Sequence, residues 1–344
     1  MKTGDRINAI NAGMMLASCA AAYAVPFQLF LFSYAVLGPL HYLTEISWLH
    51  DRGYFVRAVP PGRDVAVRRT WLALVAVTLA IMLAGLLAER FGTPAFSPAV
   101  EIALVCVVFA TAWLVATPAG TTWWAAPMTA VALAAALAGA WQYVALAAFL
   151  LITIVHVLVF TVAFVVYGAL KSRSHSGFAS LAVFGTCALS FFVVMPGALG
   201  PGAEGYVRDS YAPFAALNAQ LIRVLGLGGA TSLAEIYHST QGLVVMRLIA
   251  FAYTYHYLNW FSKTSIIKWH EVSKRRAAAI AVLWAAALAL YGFSYAAGFV
   301  ALYVLSVLHV LLEFPLNHQT FGGIGRELVA LVMRRRLRQA VPRA

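Results

Sequence analysis

The chain has few charged residues for its length. Asp, Glu, Lys and Arg make up only 10% of its 344 residues, whereas 62% are hydrophobic. Soluble domains carry about 25% charged residues, so this composition excludes an ordinary soluble protein. A membrane-spanning helix needs about 20 mostly apolar residues, and the sequence offers ten such stretches. It therefore predicts an all-α, polytopic transmembrane helix bundle that forms a single integral-membrane domain over residues 1–344.

Several familiar chemical motifs are also missing. The three cysteines stand singly and form no CxxC pair, so they are interpreted as small buried hydrophobic residues. The sequence has no Walker loop, no GxSxG nucleophile motif and no HExxH zinc motif. No two of its nine histidines lie four or fewer residues apart, which excludes the histidine-box desaturases and hydroxylases.

The basic residues indicate the membrane topology. Most of them follow the second, sixth and eighth predicted spans or lie in the C-terminal tail, which places both termini in the cytoplasm if there are ten spans. The net charge of +12 is therefore expected to interact with anionic lipid headgroups rather than with nucleic acid. The expected location is a prokaryotic inner membrane. The predicted spans are 7–25, 27–48, 70–89, 99–117, 121–139, 142–169, 178–197, 242–261, 276–295 and 297–314.

The long segment 198–241 separates the seventh and eighth spans, on the outer side in this topology. Phe214, Leu217, Leu221 and Leu225 recur in it at near-helical spacing, while Arg223 lies on another face. This pattern predicts an amphipathic helix at the membrane interface.

Four histidines fall inside stretches that otherwise resemble membrane spans: His41, His156, His256 and His309. An ionisable side chain at the centre of a membrane helix costs at least about 2.5 kcal/mol, so it usually faces the protein interior and serves a function. All four side chains can bind metals. A buried metal centre is therefore the first hypothesis.

Two of these histidines carry a glutamate four residues later, as His41–Glu45 and His309–Glu313. Residues at this spacing share a helix face. Imidazole together with carboxylate suits iron, manganese or zinc. Each glutamate is a candidate ligand, or an acceptor that orients a histidine ring.

Helical rise places the histidines at similar depths. His256 precedes Lys263 by seven residues, a rise of about 10 Å, and His41 precedes Arg52 by eleven, about 16 Å. All four histidines then lie between the inner surface and the midplane. Pro315 is expected to end the helix of His309, which would let His318 fold back as a further ligand.

Four short segments resemble the Brp/Blh membrane proteins, which cleave β-carotene to retinal. LGPLHYLTE places His41 on a family histidine, with Glu45 one residue from the family's acidic position. FAYTYHYLNWF places His256 on a second family histidine, and VLHVLLEF places His309 on a third. By local similarity, His156 stands for the remaining family histidine. Tyr42 stands where the family has glycine, and Trp260 where it has a second histidine.

The resemblance implies an oxygen-using enzyme that depends on Fe(II) and acts on a lipophilic small molecule, a carotenoid, another isoprenoid or a lipid. It assigns the iron to four histidine ligands, with the two glutamates as ligands or orienting groups and three aromatic residues as the substrate pocket. The ligands would be His41, His156, His256 and His309. The candidate catalytic groups are Glu45, Glu313 and Tyr257, and the pocket residues are Tyr253, Tyr257 and Trp260.

Other functions stay open from the sequence. Two of the histidines could bind haem b, zinc could replace iron, or the His and Glu groups could form the proton relay of a proton-coupled transporter. An accessory subunit without chemistry is a further alternative. The substrate, the oligomeric state and the choice between one metal ion and two are not determined by the sequence.

Overall fold

The computed structural model describes residues 3–52, a few positions between 72 and 83, and most of 136–340. The gaps in the last range are 195–202, 230–231, 233, 264–267 and 269–270. Helices account for nearly all of the described residues, and no strand occurs among them, which confirms the all-α prediction. The predicted spans 70–89, 99–117 and 121–139 lie mostly or wholly outside the described residues.

Eleven α-helices are numbered here in chain order. Wider π-helical turns at Ser33–Leu37, Ala136–Ala140 and Leu151–Phe160 and short 3-10 turns at Ala212–Phe214 and Glu235–Tyr237 join or extend them. The helices are α1 (Thr3–Ala24), α2 (Pro26–Phe32), α3 (Gly38–Arg52), α4 (Trp141–Leu150), α5 (Thr161–Ser172), α6 (His175–Val193), α7 (Gly205–Tyr211), α8 (Ala215–Val224), α9 (Thr240–Ser262), α10 (Lys274–Phe293) and α11 (Tyr295–Ala340).

Among the described residues, six helical segments are long and apolar enough to cross a membrane. They support the membrane assignment and match six of the ten predicted spans. The predicted span 242–261 corresponds to α9, which is helical but is not one of the six. The ten-span count and the cytoplasmic termini therefore stay predictions. The six segments are 4–24, 26–50, 146–172, 175–193, 274–293 and 295–334.

The chain divides into two compact units, the first made of residues 1–41, 157–299 and 320–344. Helix α9 lies at its centre and packs against α1, α2, α6 and α8. Seventeen of the 23 residues of α9 are buried. A helix that is buried on all sides is a core element, and α9 holds His256 within this core.

Local contacts fix the start of α9. The Ser239 side chain caps the helix by accepting a hydrogen bond of 3.0 Å from the Gly242 N–H. A Cβ atom at Gly242 would overlap the carbonyl oxygen of Ile236, so only glycine fits there. The Asn218 side chain of α8 donates to the Gly242 carbonyl at 3.2 Å, which ties α8 to the same turn.

The segment 198–241 contains the predicted helix. Phe214, Leu217 and Leu221 are buried on α8 and on the 3-10 turn before it, as the spacing predicts. Leu225 differs, because α8 ends at Val224 and leaves Leu225 43% exposed. The interfacial position of this helix stays a prediction.

The second unit comprises residues 42–156 and 300–319. Its described part includes most of α3, the π-helical stretch that carries His156, and the middle of α11. Helix α11 runs through Pro315 without ending, so the expected end at that proline is wrong. Membrane helices tolerate proline because neighbouring groups satisfy the backbone that it frees.

Candidate metal centre

Three buried histidines could hold one metal ion. The ligand nitrogens of His41, His256 and His309 all lie within 4.8 Å of one another. Their side chains are 1%, 6% and 2% exposed, respectively. Neutral imidazole is the commonest protein ligand for metals, and three such rings form a coherent donor set.

His41 and His256 approach each other directly. Their Nε2 atoms are 3.1 Å apart, with the two rings nearly perpendicular at 78°. This distance suits an N–H···N hydrogen bond. It also suits two nitrogens bound side by side to one ion, because bonds of about 2.1 Å at right angles place the nitrogens about 3 Å apart.

The other nitrogen of His256 is held by Thr161. The Thr161 Oγ1 and His256 Nδ1 atoms are joined by a buried hydrogen bond of 2.8 Å. When Nδ1–H donates to this hydroxyl, Nε2 keeps its lone pair and can bind a metal. In that tautomer, Thr161 fixes both the orientation of the His256 ring and the nitrogen that the ring offers to a metal.

His156 and His309 form a second close pair. Their Nε2 atoms are 3.2 Å apart, and the rings are again nearly perpendicular. On the far side of the His156 ring, Nδ1 lies 3.1 Å from Glu313 Oε2. A carboxylate next to one nitrogen of a histidine commonly orients the ring and makes its other nitrogen a better ligand.

The glutamates differ in their surroundings. Glu313 is 3% exposed and contacts His156, which belongs to another helix, rather than the histidine one turn before it. Glu45 is 1% exposed and lies one turn after His41 on α3. For both glutamates, the role of metal ligand and the role of orienting group stay predictions.

His318 does not fold back toward His309. Because α11 continues through Pro315, His318 lies nine residues after His309 in the helix. This is a rise of about 13.5 Å and leaves the two histidines on opposite faces. His318 stacks on Phe314 at 6.2 Å between ring centroids and is not one of the three clustered histidines. The fold-back expectation is thus corrected, while a ligand role for His318 is untested.

Two of the three predicted pocket residues lie against the histidines. Between ring centroids, Tyr257 is 5.2 Å from His41 and 5.5 Å from His256, and Trp260 is 5.6 Å from His41. Tyr253 lies one turn away, at 6.2 Å from Tyr257. The pocket role of these rings and the catalytic role of Tyr257 stay predictions.

Sequence reasoning missed two residues that contact the histidines. Thr161 gave no signal, since threonine is an ordinary residue in an apolar helix. Tyr42 stood out only as a departure from the family's glycine, yet its ring stacks on His309 at 4.2 Å. The position of His156 in a π-helical stretch could not be foreseen either, although such turns are frequent at functional sites.

Comparisons with known proteins add no assignment. No protein-family model, curated protein or solved structure matches this chain.

Proposed function

We propose that this protein is a membrane-embedded, metal-dependent oxidoreductase that acts on a lipophilic small molecule, with iron as the metal and molecular oxygen as the oxidant. The main support for this proposal is the group formed by His41, His256 and His309. All three side chains are buried, and their ligand nitrogens lie within 4.8 Å of one another. His156 is the fourth candidate ligand, since its Nε2 lies 3.2 Å from that of His309.

The donor chemistry supports a metal. Three or four neutral imidazoles with nearby carboxylates suit Fe(II), Mn(II) or Zn(II) rather than Ca²⁺ or Mg²⁺, which prefer oxygen ligands. Two of the histidines also have a polar side chain next to Nδ1. The Thr161 hydroxyl is hydrogen-bonded to His256, and the Glu313 carboxylate lies 3.1 Å from His156. Such support of the far nitrogen is typical of metal-binding histidines.

The assignment of iron and of a lipophilic substrate rests on chemistry and on the resemblance to the Brp/Blh proteins. Bound iron supplies the capacity to activate oxygen, which zinc lacks. The aromatic rings of Tyr257 and Trp260 lie next to His41. Such rings favour an apolar molecule, such as a carotenoid, another isoprenoid or a lipid.

The geometry does not favour haem b with His41 and His256 as its two axial ligands. The two axial nitrogens of a haem lie on opposite sides of the iron, about 4 Å apart. The Nε2 atoms of His41 and His256 are 3.1 Å apart, too close for that arrangement. A proton-coupled transporter differs in a testable way, because its His and Glu groups would carry protons without binding a metal.

The test is metal content. Detergent-purified protein should contain stoichiometric iron and show no Soret band. His41→Ala and His309→Ala should each lose most of the bound metal while keeping the elution volume and helicity of the wild type. His175→Ala and His238→Ala are matched controls, because both side chains are exposed, and they should retain the metal.

Full metal occupancy in both His41→Ala and His309→Ala would refute the metal centre. A metal-free wild-type protein that takes up solutes into vesicles in a pH-dependent way would instead identify a transporter.

A further inference from the structure

Helix α11 carries a buried polar residue beyond the histidine and glutamate already described. Asn317 is 2% exposed, and neither its Oδ1 nor its Nδ2 has a hydrogen-bond partner among the residues that the structure describes. Burying an amide in this way costs about as much as losing a hydrogen bond. Such a group therefore requires a specific explanation.

Two other buried asparagines have hydrogen-bonded side chains, although Asn218 Oδ1 has no partner among the described residues. The Asn218 side chain donates to the Gly242 carbonyl at 3.2 Å, and Asn11 donates to the Ile7 carbonyl at 2.9 Å. The Ser262 hydroxyl also donates to Asn11 Oδ1, at 3.0 Å. These amides join helices together, whereas Asn317 makes no such hydrogen bond within the described part of the chain.

Asn317 continues the polar face of α11. His309, Glu313 and Asn317 recur at intervals of four residues, so they follow one another along one side of the helix. All three are 2–3% exposed. Asn317 lies one turn beyond Glu313 and eight residues beyond His309, a rise of about 12 Å from the metal-binding histidine.

We propose that Asn317 binds a hydroxyl or carbonyl group carried by an otherwise apolar substrate. This inference rests on the proposed function and narrows its substrate class to oxygenated isoprenoids or lipids. An asparagine side chain offers a carbonyl acceptor and two N–H donors. A hydroxyl group both accepts and donates, so it can satisfy the amide, whereas a pure hydrocarbon leaves the amide unpaired.

The placement of Asn317 also defines a role for it. A hydroxyl or carbonyl group of the substrate that binds Asn317 is held about 12 Å along α11 from His309. The distance between that group and the reacting carbons of the substrate then decides which part of the substrate lies next to the histidines. Asn317 is thus a specificity-determining residue that acts through substrate position.

The test compares two probes on the full-length protein in detergent, without oxygen so that no turnover occurs. One probe is a conjugated isoprenoid polyene with one terminal hydroxyl, and the other is the same polyene without it. Quenching of tryptophan fluorescence gives the Kd of each. The wild type should bind the alcohol about tenfold more tightly or better, a preference that the pairing of a buried amide accounts for.

Asn317→Leu should bind both probes equally, because leucine fills the same space without polar atoms. Its Tm should equal or exceed that of the wild type, since the substitution removes an unpaired buried amide. Asn317→Ser, which keeps a donor and an acceptor, should retain part of the preference. Thr320→Val is the matched control: it removes another buried polar group from α11 and should leave the preference intact.

Equal binding of the two probes by the wild type would overturn the inference, and so would a preference that survives in Asn317→Leu. A lower Tm with an unchanged preference would assign the amide to structure and refute the proposal. Metal content, measured on the same samples, separates the two proposals. Bound metal without a preference refutes only the role of Asn317, while a preference without bound metal refutes only the metal centre.

Discussion

At the scale of single residues, Thr161 is the clearest support for a metal-binding histidine. Replacing Thr161 by valine keeps the shape of the side chain but removes the hydroxyl that holds His256 Nδ1 at 2.8 Å. We expect the metal affinity to fall about 10- to 100-fold, the usual effect of losing such an orienting group. Competition with a chromophoric chelator measures this change.

Thr161→Ser is the matched variant, because it restores the hydroxyl and should recover most of the affinity. If valine and serine weaken metal binding equally, the role of Thr161 is packing and not orientation of the ring.

The contrast between the histidines and Thr161 shows what sequence can predict about the site. His41, His256 and His309 were found because an ionisable residue in an apolar span is rare and costly. Threonine in such a span is common, since its hydroxyl can bond a backbone carbonyl one turn earlier. Its function depends on which side chain lies opposite, and that is set by packing between helices distant in the chain.

At the scale of elements, the start of α9 is under tight steric control. Gly242→Ala would press a Cβ atom against the carbonyl oxygen of Ile236. Overpacking of this kind typically costs about 1–3 kcal/mol, and the affected turn also receives the Asn218 side chain. We therefore expect a lower Tm and weaker metal retention at His256.

Gly185→Ala in α6 is the control, because no atom lies within 4 Å of the added Cβ. It should leave the stability unchanged or raise it by up to about 1 kcal/mol, the difference in helix propensity between glycine and alanine. Equal Tm values for the two variants would contradict the steric account.

The elements themselves were partly predictable. Long apolar runs predicted ten spans, and six of these match described helices that are long and apolar enough to cross a membrane. The end predicted at Pro315 failed because the rule that proline breaks helices comes from water-exposed helices. The π-helical turns, one of which carries His156, left no pattern in the hydropathy of the sequence.

At the scale of the whole molecule, metal binding should stabilise the fold. The candidate ligands come from α3, α9 and α11, which are far apart in sequence, so the unfolded chain cannot present the same site. A ligand that binds only the folded state at about 100 times its Kd contributes about 2.7 kcal/mol. Removing the metal with a chelator should therefore lower the Tm, and adding it back should restore the Tm.

His309→Ala should show no effect of the chelator, because the site is already incomplete. The result that would contradict the prediction is an identical Tm for wild-type protein with and without the chelator.

The burial of α9 has a consequence for how the protein is made. This helix is too polar to be one of the six apolar spans, and it includes Arg247, which costs about 2.5–3.5 kcal/mol at a helix centre during insertion by the translocon. The helices that pack around it, α1, α2, α6 and α8, all precede it in the chain. If α9 crosses the membrane, as the sequence predicts, the ribosome delivers it after these four helices have been synthesised. Their side chains can then surround His256, so that the histidine does not face lipid during insertion.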